Sequence, residues 1–400
     1  MSQYTAFTEQ DALAYVQEKS GLFTADEPLN CYEFGDGNLN MVFRISNHTG
    51  TSVILKQALP YARCVGESWP LTLDRARIEA QALIAHSKVC PEHTVKVLDY
   101  NPDLALILLE DLGDMQILRG AQNQAKQFDL LGEHVADYLA KTAFYYSDFY
   151  LDAQEKKALV AQFINPELCQ ITEDLFFSDP YRKHERNNYP AQLQPLVLEL
   201  WQDDALKTAV AQLKAKFLSS PQSLLHGDMH SGSIFVDAQQ TKMIDPEFAF
   251  FGPIGFDLGS FIGNLLINYC AQTGRMSDET ARQTMQQHLL ETLNITTSGF
   301  VQQFTKLAAQ HCQDISFADT TYQQAFLQQV LQDAIGYCGC ELIRRTIGLA
   351  HTSDIDTISD EKARLTVQQR TLVLGQALIL NAQQVTTSAQ LAELLHQHLN

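Results

Sequence analysis

The sequence predicts an α+β protein of two lobes: a small one built on an antiparallel sheet with a helix, and a large, mainly helical one. Two observations carry this expectation. Up to about residue 112, apolar residues alternate with polar ones between turn formers, whereas beyond Gly113 they recur at three and four spacing almost to the end. The length, 400 residues, allows two or three domains or one bilobal unit. The lobes are expected at residues 1–112 and 113–400.

Thr8-Glu9-Gln10-Asp11 has the pattern of a capping box, and Ala12, Leu13 and Val16 follow at helical spacing until Gly21 closes the segment. Met41, Phe43 and Ile45 then alternate with Asn40, Val42 and Arg44 between turn formers at 35–38 and 47–50, which predicts a strand. A second strand runs over 52–58 with Lys56 near its end, 59–70 is a loop, and 73–86 is helical. Residues 94–100 and 104–110 flank Asn101-Pro102-Asp103 and predict a hairpin. Helices are expected near 124–150, 191–218, 256–271, 277–294, 321–350, 359–383 and 387–399. Residues 223–250 break this pattern with short apolar pieces between polar loops. Loops held by a rigid scaffold commonly carry chemistry, so function is sought there.

Composition narrows the function classes. Apolar residues make up 45% and charged residues 19%, a globular profile. A net charge of −19 repels phosphate backbones and anionic lipid, so neither nucleic acid nor a membrane surface is an expected partner. The longest apolar-looking stretch, 248–269, is interrupted by Pro253, Asp257 and Asn264, short of the roughly 20 residues of a span. The first twenty residues carry Glu9, Asp11 and Glu18 and lack a basic start and an apolar run, which predicts no secretory signal and a cytoplasmic protein. Eight scattered cysteines are expected to stay reduced, and Cys338 and Cys340 diverge on a helix.

Two motifs lie in the loop-rich island. His226-Gly227-Asp228-Met229-His230 places an acid and two imidazoles, both read as structural, in a glycine-punctuated loop, and Asp245-Pro246-Glu247 follows. Pro246 is expected to hold Asp245 extended, so that Asp245 and Glu247 project to one side. With Asp228 as a third oxygen donor, this set suits Mg²⁺ bound beside a phosphate. Lys56, with Glu79 on the next helix as its ion-pair partner, would be aimed at the α and β phosphates of a nucleotide. Gly35-x-Gly37-x-x-Asn40 could lay backbone N–H groups over phosphates, although taken alone it reads as a hairpin turn.

In order, these features resemble the protein-kinase-like fold, and the His-Gly-Asp loop with a metal carboxylate seventeen residues on resembles its aminoglycoside and choline kinase branch. Five blocks narrow the match: residues 35–43, Ser68-Trp69-Pro70 through Arg77, residues 226–234, Phe251-Gly252-Pro253-Ile254-Gly255-Phe256-Asp257, and Ile343-Arg344-Arg345. Together they resemble the S-methyl-5-thioribose kinase family of methionine salvage over nearly the whole chain. The resemblance implies phosphorylation of the thiosugar by ATP at its anomeric hydroxyl, with Asp228 as the base and a homodimeric assembly. It implies Mg²⁺ on Asp245 and Glu247, nucleotide contacts from Asn40, Lys56, Pro246 and the connector Glu110-Asp111-Leu112, and substrate contacts from Asp228, Arg344 and Arg345. Asp257 is expected to brace the catalytic loop. One departure from the wider fold is Ser233, where most kinases carry an asparagine metal ligand, and Glu247 is expected to supply the missing oxygen. Trp69 either covers the thiomethyl end or packs at the surface.

Other readings remain open at this stage. A related aminoglycoside, choline or homoserine kinase fits the same motifs. A metallophosphatase would need further Gly-Asp and Asn-His metal blocks downstream of Asp228, and a Walker-type ATPase would need a Gly-Lys pair; neither the downstream blocks nor that pair occurs.

Overall fold

The computed structural model describes residues 4–24, 26–34, 39–62 and 66–399. The glycine turn at 35–38 lies outside the described residues. The chain opens with α1 (Glu9–Lys19), capped as expected: Thr8 N–H donates to Asp11 Oδ2 at 2.8 Å and Asp11 N–H to Thr8 Oγ1 at 3.3 Å. Strands β1 (Leu29–Phe34), β2 (Asn40–Asn47) and β3 (Ser52–Ala58) follow. The expected loop at 59–70 instead contains a small hairpin of β4 (Tyr61–Ala62), too short to show a period, and β5 (Gly66–Pro70), whose sequence has no apolar alternation. Then come α2 (Arg75–Val89), β6 (Val97–Asn101) and β7 (Leu106–Glu110). Five strands form one antiparallel sheet in the order β1-β2-β3-β7-β6.

Strand alternation decides what this sheet presents. Val53 and Leu55 face α1 and pack with Phe43, Ile45, Ala12 and Val16. Ala58 faces α2 with Ile107, Ala76, Ala80 and Leu83. Residues two apart share a face, so Lys56 points to the α2 side, where Glu79 sits. The helix pairing of the lysine thus follows from register: Lys56 lies between Val42 of β2 and Ile107 of β7.

The remainder is helical apart from short strands. In order it comprises β8 (Gln116–Ile117), α3 (Leu118–Asn123), α4 (Leu131–Tyr145), α5 (Ala153–Gln162), α6 (Pro166–Phe177), α7 (Gln194–Gln202), α8 (Asp204–Ser219), β9 (Ser223–Leu224), β10 (Ile234–Val236), β11 (Thr241–Met243), β12 (Phe251–Gly252), α9 (Gly255–Arg275), α10 (Glu279–His311), α11 (Thr320–Ile347), α12 (Ser353–Asp356), α13 (Glu361–Asn381) and α14 (Ser388–Leu399). This is the bilobal α+β architecture that the periodicities predict. None of the described helices is long and apolar enough to cross a membrane. The expected helix over 191–218 is two, divided where Asp203 caps α8 through Leu206 N–H at 2.9 Å. The expected stop at 294 does not occur, because Thr296 and Thr297 satisfy their hydroxyls on the carbonyls of Thr292 and Leu293 and leave α10 intact to His311.

Helix α9 is the axis of the larger lobe, buried from Gly255 to Gln272. It approaches α11 over small residues: a Cβ on Gly259 would lie 2.4 Å from the carbonyl oxygen of Ala334. That contact sets the position of every residue further along α11, including the Arg344–Arg345 pair. Gly259→Ala is therefore expected to cost about 1–3 kcal/mol by overpacking, read as a lower urea midpoint. Gly120→Ala, with open space around its Cβ position, should leave the midpoint unchanged or raise it.

Candidate active site

The loop after β9 is shaped first by its backbone. Gly227 has φ +81°, and a Cβ there would meet the Phe248 carbonyl oxygen at 2.2 Å, so only glycine fits. Asp257, in the first turn of α9, accepts from His226 N–H at 2.7 Å and Gly227 N–H at 3.0 Å, the bracing role expected of it. His226 Nε2 donates to the Ile244 carbonyl at 2.8 Å while its Nδ1 accepts from Asp228 N–H at 3.3 Å. One imidazole thereby fixes the Asp228 loop against the residue preceding Asp245.

His230 does more than the structural role expected of it. Its Nδ1 accepts from Gly232 N–H at 3.0 Å, so in the neutral ring the proton is on Nε2, which lies 3.3 Å from Asp228 Oδ2. Burial pushes the His230 pKa down, in keeping with that neutral form. Arg344 Nη2 lies 3.7 Å from Asp228 Oδ1. Burial alone would raise the Asp228 pKa, but His230 and then Arg344 and Arg345 outweigh it and hold the carboxyl well below the usual range. Asp228 is thus a fixed carboxylate with 27% of its side chain open to solvent.

Arg345 is buried and the Arg344 side chain is 14% exposed, so neither is fully solvated. Glu341, one turn earlier on α11, accepts from Arg344 Nε and, at 2.9 Å, from Arg345 Nε. Arg345 also donates to the Ala350 carbonyl at 3.3 Å. Arg119, which no motif singles out, joins this group: it donates to Ser231 Oγ at 3.2 Å and Asn264 Oδ1 at 3.0 Å and pairs with Asp354 at 3.2 Å.

The carboxylate cluster differs from expectation in two respects. Asp245 is not extended but left-handed, with φ +67°, a conformation in which Asp is tolerated and which still turns its carboxylate toward Glu247. The third carboxylate is Glu79 and not Asp228: oxygens of Glu79, Asp245 and Glu247 all lie within 4.8 Å of one another. Lys56 Nζ sits among them, 2.7 Å from Glu79 and bonded to Asp245. Burial works against its charged form, but Asp245, Glu79 and Glu247 more than compensate and raise its pKa. Burial also pushes Glu79 and Glu247 upward, against the pull of the Lys56 ammonium.

Glu247 is held from the smaller lobe. Asn40 Nδ2 donates to its Oε2 at 3.1 Å and Arg75 Nε at 3.2 Å. Arg75 is fully buried and also donates to the carbonyls of Leu59, Thr72 and Leu39 and to Asn40 Oδ1. A signal for it existed in the sequence: Arg75 lies four residues before Glu79, on the same helix face. Ser233 Oγ lies 3.1 Å from His230 Nδ1, so its hydroxyl is engaged with the His226–His230 loop. In the connector, Asp111 accepts from Arg44 Nε at 2.5 Å and Gly113 N–H at 3.0 Å, Glu110 from Lys96 N–H at 2.8 Å, and the Leu112 carbonyl from Met115 N–H at 3.2 Å. Trp69 lies under the Arg186 guanidinium, 5.9 Å from the ring centre, beside a groove of about 380 Å³ that it shares with α6; none of Asp228, Arg344 and Arg345 lines that groove.

Arg344 and Arg345 hold the Glu341 pKa down to about 2 against the cost of burial. A depressed carboxyl stabilises the fold above its unfolded value, roughly 4.3, and that contribution fades as pH falls from there toward 2. Glu341→Gln should therefore cost about 3–5 kcal/mol at neutral pH. Denaturant titrations should show its deficit against wild type narrowing once pH drops below about 4.3.

A family model described as "Phosphotransferase enzyme family" matches residues 31–288. The chain is 51% identical over 399 residues to a methylthioribose kinase from Yersinia enterocolitica and 49% identical over 399 residues to one from Cronobacter sakazakii, covering all of this chain and of each relative. It is 52% identical over 386 residues to one from Yersinia pseudotuberculosis, covering 96% of this chain and 95% of that one. Among solved structures, a choline kinase from Cryptosporidium parvum superposes with a TM-score of 0.53 at 11% identity, over 98% of this chain and all of that one, a likeness of fold alone. By sequence along its whole length and by the kinase-like lobes that carry its paired acids, the chain belongs to the methylthioribose kinase family of the phosphotransferase enzymes.

Proposed function

We propose that this chain transfers the γ-phosphoryl group of ATP to the anomeric hydroxyl of S-methyl-5-thio-D-ribose, giving S-methyl-5-thio-α-D-ribose 1-phosphate in methionine salvage. The observation that carries this reading is the Arg344 guanidinium 3.7 Å from Asp228, with Arg345 beside it on Glu341. Cationic acceptors such as choline or an aminoglycoside would be repelled by this pair, whereas a neutral sugar gaining phosphate is favoured by it.

In this reading Asp228 accepts the hydroxyl proton. Its depressed pKa makes it a weak base but keeps it ionised, which suffices where the transition state is loose and positioning dominates. His230 Nε2–H orients the carboxylate, and Arg344 can bear the phosphoryl charge as it arrives. Lys56, aimed by Glu79, binds the α and β phosphates; Asn40 and Pro246 border them, and the backbone of 110–112 holds adenine. The donor set fits a hard divalent cation, since Asp245 and Glu247 offer clustered oxygens and 39% of the Asp245 side chain is exposed. Asp245 and Glu247 would hold Mg²⁺, which would supply charge neutralisation for the transferring phosphoryl group. The lobe boundary at 112/113, a homodimeric assembly and a cytoplasmic location belong to the same reading.

The test is ATP consumption with methylthioribose beside choline, homoserine and an aminoglycoside; turnover is expected with the thiosugar alone, and a preference for a cationic acceptor would reject the assignment. Asp228→Asn should lower turnover by roughly 10²-fold or more with ATP binding preserved. Near-wild-type turnover would remove Asp228 from its role. Glu247→Gln should raise the Mg²⁺ concentration needed for half-maximal rate and lower turnover. An unchanged Mg²⁺ dependence would show that Glu247 does not make up for Ser233.

A further inference from the structure

A second cluster of ligating side chains lies away from the phosphoryl-transfer site. Cys90 closes α2, His93 stands in the loop that follows, and Asp137 projects from α4. Their Sγ, ring nitrogen and carboxylate oxygen all lie within 4.8 Å of one another. Cys90 is fully buried, His93 is 8% exposed, and 25% of the Asp137 side chain meets solvent.

The tautomer of His93 makes this more than a coincidence of residue types. His93 Nδ1 lies 3.1 Å from the Thr241 carbonyl, which can only accept, so Nδ1 carries the proton. Burial and the neighbouring His134 ring, centred 4.5 Å away, lower the His93 pKa and favour the neutral ring. Nε2 therefore presents a bare lone pair. It faces Asp137 Oδ2 at 3.9 Å, an acceptor facing an acceptor at a distance too long for a hydrogen bond. The Cys90 thiol points at the same oxygen from 3.7 Å. An imidazole that gives its other N–H to a backbone carbonyl is the usual second contact of a metal-bound histidine.

The geometry points to a divalent transition-metal site on Cys90 Sγ, His93 Nε2 and Asp137 Oδ2, with a mixed sulfur, nitrogen and oxygen set suited to Zn²⁺ and a solvent molecule in the fourth position. Binding replaces the S–H bond of Cys90 with a sulfur–metal bond and releases one proton to solvent. Lys141, 2.7 Å from Asp137 Oδ2, is the competing cation, and Glu92 at 4.0 Å offers it another partner. The location gives the site leverage. Met243 N–H donates to the His93 carbonyl at 2.8 Å and Val95 N–H to the Met243 carbonyl at 3.1 Å, so the loop is stitched to β11, which leads to Asp245. A bound metal would fasten the end of α2, the helix bearing Glu79, to α4 and β11.

The experiment is titration of the full-length protein with Co²⁺, whose bond to thiolate gives a near-ultraviolet charge-transfer band that oxygen ligands at Asp245 and Glu247 cannot produce. One thiolate-bound Co²⁺ per chain is expected, displaced by Zn²⁺, with the band lost in Cys90→Ser and retained in Cys312→Ser. Asp137→Asn, at a partly exposed position, should weaken Co²⁺ binding at least tenfold, and Lys141→Gln should tighten it; these carry the test if Cys90→Ser does not fold. Absence of the band in the wild-type protein, or its survival in Cys90→Ser, would overturn the site, as would an Asp137→Asn affinity equal to wild type.

Discussion

Everything at the candidate active site depends on how closely α11 can lie against α9. The separation is set by glycine: with Gly259 facing the Ala334 carbonyl, the two backbones meet without side chains between them. One end of α9 carries Asp257, which fixes the amides of His226 and Gly227, and the far end of α11 carries Glu341, Arg344 and Arg345. A wider spacing would leave the guanidinium of Arg344 out of reach of Asp228. The packing of two helices is thereby converted into the electrostatic state of one carboxylate.

Charge inside the site is arranged as alternating layers. Glu341 neutralises the arginine pair, the pair faces Asp228, and Asp228 is oriented by a neutral imidazole. Across the cleft Lys56 is enclosed by Glu79, Asp245 and Glu247, while Arg75 and Asn40 hold Glu247 from the sheet side. Each buried charge has a partner of opposite sign, which is the condition under which such charges persist at all. Because the partners come from both lobes, Glu247 links the glutamate-bearing helix and the Asp245 loop through Arg75, and lobe geometry is coupled to the state of the acids.

The sequence made the architecture legible because its signals are periodic. The antiparallel sheet with its helix and the long helices follow from alternation and from three-and-four spacing, and the Lys56–Glu79 pair from a lysine near a strand end with a glutamate on the next helix. Gly227, flanked by His226 and Asp228, was visible as a motif because its backbone conformation demands glycine. What was not legible depends on long-range geometry. That the third carboxylate is Glu79 rather than Asp228 involves positions 166 residues apart, Asp245 and Glu79, and no local rule links them. The left-handed turn at Asp245 defeated the proline argument, which excludes a helix but does not choose between the remaining conformations. The hairpin of β4 and β5 and the continuation of α10 past Asn294 escaped for a different reason: a two-residue strand carries no period and Gly66-Glu67-Ser68-Trp69-Pro70 shows no apolar alternation, and threonines that return their hydroxyls to the helix look like breakers in a sequence.

The central claim is that Asp228 receives a proton from a sugar hydroxyl held between it and the arginine pair. The most direct measurement is a crystal structure of the enzyme with Mg²⁺, a non-hydrolysable ATP analogue and methylthioribose. The anomeric hydroxyl is expected within hydrogen-bond distance of an Asp228 carboxylate oxygen, in line with the γ-phosphate, and Arg344 turned toward the transferring group. A sugar bound with another hydroxyl at Asp228, or with Arg344 and Arg345 remote from both ligands, would contradict it.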